Sequence, residues 1–306
     1  VITKWESCGI NWYRNVNGDG LRWERRWIHG HIANAVSVRI ADFTGDGLLD
    51  ILAVGKSAPR VCVFENSGET PLYFNEYRIR SPLYGIKDLA VADMDLDGDL
   101  DVVVSTGEKN NNVYYFPNAG DGTVTTDTHY AFADSVPGAA GIYVSDFDGD
   151  GFPDIAVASE LGNKILWLRH NGSEPPTFSQ NIISADIAGP RAVHASDVDE
   201  DGDIDVLSTS YLEDRLYFHE NDGTEPPVFK TTVIAERLDG AESVVTEDMD
   251  GDGDLDIVCA SRLDNSIRLF FNRLREPGFA GWHPVMRVLA AFLLAAAVLA
   301  LAYFLF

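Results

Sequence analysis

The phrases DMDLDGDLD at 93–101, DFDGDGFPD at 146–154, DVDEDGDID at 197–205 and DMDGDGDLD at 248–256 are one motif written four times, and DFTGDGLLD at 42–50 is a fifth, weaker copy. Carboxylates occupy the first, third, fifth and ninth places: Asp93, Asp95, Asp97 and Asp101; Asp146, Asp148, Asp150 and Asp154; Asp197, Asp199, Asp201 and Asp205; Asp248, Asp250, Asp252 and Asp256. The 42–50 copy keeps Asp42, Asp46 and Asp50 but has Thr44 in the third place. A glycine always fills the sixth place, where the chain must turn sharply and positive φ is needed.

Four carboxylates on one tight turn converge. Unit charges about 4 Å apart repel by roughly 4 kcal/mol at an effective dielectric of about 20, so such a turn calls for a cation. Hard oxygen ligands in a flexible loop favour Ca2+ over Mg2+, which demands a stricter octahedron and holds its water. The expectation is four or five Ca2+ sites, the 42–50 site being the weakest. An EF-hand opens in the same way but needs Glu at its twelfth place, where this chain has Ala53, Val104, Val157, Ser208 and Cys259. The runs that follow the loops are β-rich, as in Val102-Val103-Val104, so each loop joins two strands. Ordinary Asp-Gly hairpin turns are the plainer alternative for one copy, but not for a series in register.

The first Asp of successive copies is 51, 53, 51 and 51 residues from the next, a period that fits a propeller blade of four short antiparallel strands. One strand leads into the loop and a second leaves it. A third is aromatic and ends near Asn or Gly: VCVFENSG from Val61, VYYFPNAG from Val113, ILWLRHNG from Ile165 and LYFHENDG from Leu216. A fourth follows a turn, as in 229–234. A blade cannot bury both faces alone, so blades must stack around an axis. The aromatics Trp12, Phe64, Tyr115, Trp167, Phe218 and Phe270 are read as packing between blades. At the ends, residues 10–28 look like half a blade and the last repeat stops after three strands at Phe271. Either 21–28 supplies the missing fourth strand of the last blade, or the chain is a piece of a larger propeller.

The phrase D-x-D-x-D-G-x-x-D inside blades of this length, with a following W-Y-x-N or F-x-E-N-x-G strand, resembles the FG-GAP or VCBS repeat family, to which the calcium blades of integrin α-subunit heads are similar. The resemblance runs from about Gly9 to Asn272. It implies an all-β propeller with calcium in the first hairpin of each blade, and a role among adhesion receptors, surface proteins or polysaccharide-processing enzymes.

The formal charge of -25, from 48 acidic and 23 basic residues, leaves no basic patch for nucleic acid. Twenty-two of those acidic residues are aspartates of the five acidic phrases. Cys8, Cys62 and Cys259 make no disulfide framework, and Cys259 reads as a small core residue. Asn171-Gly172-Ser173 is the single glycosylation sequon. Residues 288–306 are 19 uncharged residues, about 28 Å as a helix, and read as a transmembrane span. The expected organisation is a propeller at 1–278, a juxtamembrane linker at 279–287 and the span at 288–306. Arg273, Arg275 and Arg287 before the span favour a cytoplasmic propeller, whereas the calcium loops favour an extracellular or lumenal one, and the calcium argument carries more weight. A GPI-attachment signal is the alternative for the tail.

These features make a membrane-anchored, calcium-stabilised propeller for recognition or adhesion. Its expected partner is a protein or glycan bound on the face opposite the calcium loops. That face carries Lys56, Arg60, Lys87, Asp88, Glu160, Arg191, Arg215, Glu242 and Arg262. The alternative is a lyase- or dehydratase-type enzyme using His194, Tyr143 and Arg191 as base, acid and carboxylate clamp. No nucleophile elbow, zinc spacing or phosphate loop is present in the sequence.

Overall fold

The computed structural model describes residues 2–4, 9–272 and 285–286, apart from 19, 29–31, 33, 57, 81–82, 108–109, 121, 123–129 and 133–134. The chain opens with β1 (Ile2–Lys4), β2 (Gly9–Asn15) and β3 (Trp23–Ile28), a three-stranded antiparallel sheet. Five four-stranded antiparallel blades follow, each in simple chain order. Blade 1 is β4 (Ala35–Ala41), β5 (Asp50–Gly55), β6 (Ala58–Asn66) and β7 (Phe74–Arg80); blade 2 is β8 (Ile86–Ala92), β9 (Asp101–Thr106), β10 (Asn112–Phe116) and β11 (Tyr130–Ala131). Blade 3 is β12 (Ala139–Ser145), β13 (Asp154–Ser159), β14 (Lys164–His170) and β15 (Phe178–Ala185); blade 4 is β16 (Pro190–Ser196), β17 (Asp205–Ser210), β18 (Arg215–Asn221) and β19 (Phe229–Ala235). Blade 5 is β20 (Ala241–Glu247), β21 (Asp256–Ser261), β22 (Ser266–Phe271) and β23 (Val285–Met286).

The acidic phrases fall where the spacing places them. In every blade the ninth-place Asp opens the second strand and pairs with the last residue of the first: Asp50 with Ala41, Asp101 with Ala92, Asp154 with Ser145, Asp205 with Ser196 and Asp256 with Glu247. The second strands are buried along their whole length, and in blades 1 to 4 a neighbouring sheet covers each face. One apolar core lies in each seam. Leu52 and Val63 of blade 1 meet Leu89 and Phe116 of blade 2, and Val103 and Tyr115 of blade 2 meet Ile142 and Leu166 of blade 3. Trp167 meets Val206, and Leu207 and Phe218 meet Ile257 and Phe270. Ile10 and Ile28 of the leading sheet meet Ile51 and Phe64 of blade 1.

The recurrent aromatics therefore do pack between blades, in two registers. Phe64 and Phe270 face the preceding sheet, while Tyr115, Trp167 and Phe218 face the following one. Trp12 packs partly buried against the first seam. Cys62 and Cys259 are fully buried, and burial pushes their thiols up to about 11 and about 12.

The first strands lie side by side, each with a register shift near its start. The approach is close. A Cβ on Gly141 would stand 2.7 Å from the Arg191 carbonyl oxygen, so only glycine admits the neighbouring strand there.

The closure expected of 21–28 does not occur. Trp23–Ile28 pairs with β2, and the fourth strand of blade 5 is Val285–Met286, inside the stretch expected to be a linker. A hairpin between adjacent strands closes a short loop, whereas pairing with β22 would close one of most of the chain, and loop-closure entropy favours the former. No helix among the described residues is long and apolar enough to cross a membrane; the span expected at 288–306 lies outside them.

Candidate metal centres

Each acidic loop is folded by its own backbone. The sixth-place glycines take φ of 84° to 101° at Gly47, Gly98, Gly151, Gly202 and Gly253. This turn aims each glycine N–H at the first-place carboxylate, as from Gly202 to Asp197 Oδ2 at 3.1 Å and from Gly253 to Asp248 Oδ2 at 3.1 Å. Four loops then bring three carboxylates together, with one oxygen of each within 4.8 Å of the others: Asp93, Asp95 and Asp101; Asp146, Asp148 and Asp154; Asp197, Asp199 and Asp205; Asp248, Asp250 and Asp256. Among the described residues Asp42, Asp46 and Asp50 form no such group, because Thr44 stands in the third place and donates its hydroxyl to Asp50 at 3.1 Å.

The fifth-place carboxylates lie outside these groups. Asp97, Asp150, Asp201 and Asp252 each accept a hydrogen bond from the backbone N–H two residues on, at 3.0, 3.0, 3.0 and 3.1 Å, and so shape the loop. The ninth-place carboxylate has a second task. It is fully buried in all five blades. One oxygen accepts the N–H of the second-place residue and the other the N–H at the end of the third strand, as in Asp205 with Val198 at 3.0 Å and Asn221 at 2.9 Å.

Burial pushes Asp101, Asp154 and Asp205 up to about 7, and burial with the charge of Asp201 pushes Asp199 to about 6. Among the described residues, Oδ1 of Asp197 and Oδ1 of Asp199 are buried with no hydrogen-bond partner. Buried carboxylate oxygens without a donor, all hard and all converging, match what a divalent cation requires. The carboxylate donor set shared by the four clusters is of the kind calcium takes, and a bound ion would supply the positive charge that lets such a cluster ionise at neutral pH.

The surroundings differ from blade to blade. Tyr115 donates its hydroxyl to Asp95 at 2.7 Å, Glu220 adds negative charge near Asp199, and the Arg169 guanidinium rests on Asp148.

Two sets of polar residues that the motif reading passed over fasten the seams. At the acidic rim, Asn118 donates to Phe43 O and Leu100 O at 3.0 Å each, Asn221 to Phe147 O at 2.9 Å and Ile204 O at 3.1 Å, and Asn272 to Val198 O at 2.9 Å. Each reaches back to the acidic loop of the preceding blade. At the other rim Asn111, Asn163 and Asp214 take φ of 50° to 56° and accept the N–H of Gly138, Gly189 and Gly240 of the next blade at 2.8 to 3.1 Å. The recurrence of Asn or Asp at both ends of the third strand was the available signal. Asn221→Ala should cost about 2–3 kcal/mol by orphaning two carbonyls, read as a shifted denaturation midpoint with unchanged slope.

The chain matches the model of the FG-GAP-like repeat over residues 2–53, 42–104, 93–157, 146–208 and 197–259. It belongs to that family. No curated protein is similar in sequence. Among solved structures, an Agrocybe aegerita lectin that recognises non-reducing terminal N-acetylglucosamine is similar at 17% identity and a TM-score of 0.59, over 90% of this chain and 73% of that one. A putative 6-phosphogluconolactonase from Bacteroides fragilis is similar at 13% identity and 0.58, over 94% and 81%. An auxiliary nutrient binding protein from Bacteroides ovatus follows at 12% and 0.53, over 77% of this chain and 55% of that one. At these identities the likeness is one of fold.

The residues named for an enzyme are placed by this FG-GAP propeller on first strands. Tyr143 and His194 meet edge to face at 4.8 Å, and His194 Nε2 lies 3.0 Å from Thr246 Oγ1. Burial, with Arg39 nearby, holds His194 down at about 4. Arg191 is engaged by Glu160 at 2.9 Å, by Glu242 at 3.9 Å and by the Tyr211 ring at 4.6 Å.

Proposed function

We propose that this FG-GAP propeller is a calcium-stabilised recognition module that binds a glycan on the face opposite its acidic loops and acts by binding without catalysis. One observation carries this reading. The turns and crossovers of that face bear a ring of exposed apolar side chains around a charged centre. Tyr84, Leu161, Leu212 and Leu263 are 53%, 56%, 69% and 54% exposed. The leucines are held flat, since a Cβ on Gly138, Gly189 or Gly240 would stand 2.7 Å from the Cγ of Leu161, Leu212 or Leu263. Inside the ring Lys87 meets Glu160 at 3.4 Å and Arg191 bridges Glu160 to Glu242. Arg262 stands exposed beside them. Repeated apolar side chains left in water on a rigid scaffold mark a contact surface.

The likeness to a lectin supports a sugar as the ligand class. Calcium in the acidic loops would stiffen the far rim, which suits an extracellular or lumenal setting. The uncharged stretch at 288–306 would hold the propeller at a membrane. Leu212→Asp and Arg262→Glu should each weaken binding to an immobilised glycan array about tenfold or more, with melting temperature unchanged. Full binding by both variants would remove this face from consideration.

A further inference from the structure

The four carboxylate clusters are alike in spacing and unlike in charge. The strand residue before the one whose N–H caps the ninth-place Asp is Glu65 in blade 1, Pro117 in blade 2, Arg169 in blade 3, Glu220 in blade 4 and Phe271 in blade 5. Only in blade 3 is it cationic. There Arg169 contacts Asp148 through Nε, and Nη2 lies 3.4 Å from Asp150 Oδ2 and 3.8 Å from Glu225 Oε1. The Asp148 side chain is wholly buried and Arg169 is 31% exposed, so the guanidinium closes over the carboxylate from the solvent side. The guanidinium carbon also lies 6.0 Å from the Trp167 ring centroid.

We propose that the third acidic loop carries Arg169 as its counter-ion in place of calcium. Arg169 stands as an ion-pair partner against one of the three converging carboxylates, Asp148, and so places a permanent positive charge beside the position a divalent ion would take. An ion entering there must displace a charge-assisted contact tethered to the same sheet, or accept a like charge as its neighbour. The other three clusters contain no arginine or lysine partner among the described residues.

Arg169 also reaches across a seam. Glu225 belongs to the turn between β18 and β19 of blade 4, so the same side chain joins the third loop to the fourth blade. Asn221 of blade 4 donates to Phe147 O in that loop. The junction of blades 3 and 4 is therefore held without metal, while the loops of blades 2, 4 and 5 depend on it. This rests on the calcium reading of those three loops.

The test is calcium titration calorimetry on the full chain, with amide hydrogen exchange in calcium and in EGTA. Arg169→Gln should bind one calcium ion more than the unmodified protein, and Arg169→Lys, which keeps the charge, should bind the same number. In the unmodified protein, EGTA should speed exchange roughly tenfold or more at 93–101, 197–205 and 248–256 and leave 146–154 unchanged. In Arg169→Gln the 146–154 stretch should become calcium-dependent too. A calcium-protected 146–154 in the unmodified protein, or an ion count that Arg169→Gln does not raise, would overturn the proposal and leave the calcium reading of the other loops intact. No ion in any loop would overturn both.

Discussion

Chelating calcium at pH 8 should lower the melting temperature of this protein by about 10 °C, and the drop should shrink toward pH 5. A site with a dissociation constant of about 0.2 mM, at about 2 mM free calcium, stabilises the fold by about 1.4 kcal/mol. Three such sites give about 4 kcal/mol, and in a domain of this size each kcal/mol moves the midpoint by about 2–4 °C. The pH arm follows from the buried ninth-place carboxyls. Burial holds Asp101 and Asp205, of two of those three sites, up at about 7 in the metal-free fold, against about 3.9 in an unfolded chain. Groups raised in this way leave the fold at full stability below about pH 4 and weaken it as pH climbs through about 7, because they must then ionise where burial penalises charge. The calcium-loaded form needs those carboxylates ionised, so the gap between loaded and chelated melts widens with pH. Thermal melts at pH 5 and pH 8, with and without EGTA, read this directly. Identical melts under all four conditions would reduce the acidic loops to turns.

Asp205→Ala should destabilise the metal-free protein by about 2–5 kcal/mol, and Asp201→Ala by less than about 0.5 kcal/mol. The two residues are equals in the motif and unequal in the fold. Asp205 has no exposed surface and accepts the N–H groups of Val198 and Asn221 on separate oxygens, so its removal orphans two buried donors. Asp201 accepts the N–H of Asp203 at 3.0 Å at the exposed end of the loop, where water replaces it. Asp205→Asn, which keeps one acceptor oxygen, should fall between. Urea denaturation in EGTA separates this structural role from any contribution to an ion. Equal costs for Asp201 and Asp205 would show that the ninth-place latch does not hold the hairpin.

The fold was legible because its signals are periodic. The acidic phrase marks one hairpin per blade, alternation marks the strands, and the repeat spacing sets the number of strands between phrases. The seam aromatics were legible as a set but not as two registers, since a one-residue offset between Phe64 and Tyr115 changes which neighbour each faces. The pairing at the chain ends was not legible. Residues 23–28 have two chemically acceptable partners, and the choice is made by loop entropy. Within the candidate sites the first, third and ninth places converge as their spacing suggests, while the fifth turns aside because a nearer backbone donor captures it. Arg169 was not legible because it enters the loop from the third strand, 19 residues beyond Asp150, where sequence shows only a surface cation.

The third strands of blades 2 and 4 are crossbars with a fastening at each end: one Asn or Asp engages the blade ahead, and one Asn engages the blade behind, whereas blade 3 keeps Asn163 ahead and has His170 in the rear place. A duplicated repeat therefore brings both of its own fastenings with it, and a deleted repeat leaves matching partners on either side. The seams thus impose no count of blades of their own, and any limit lies with the first strands, which approach as closely as at Gly141.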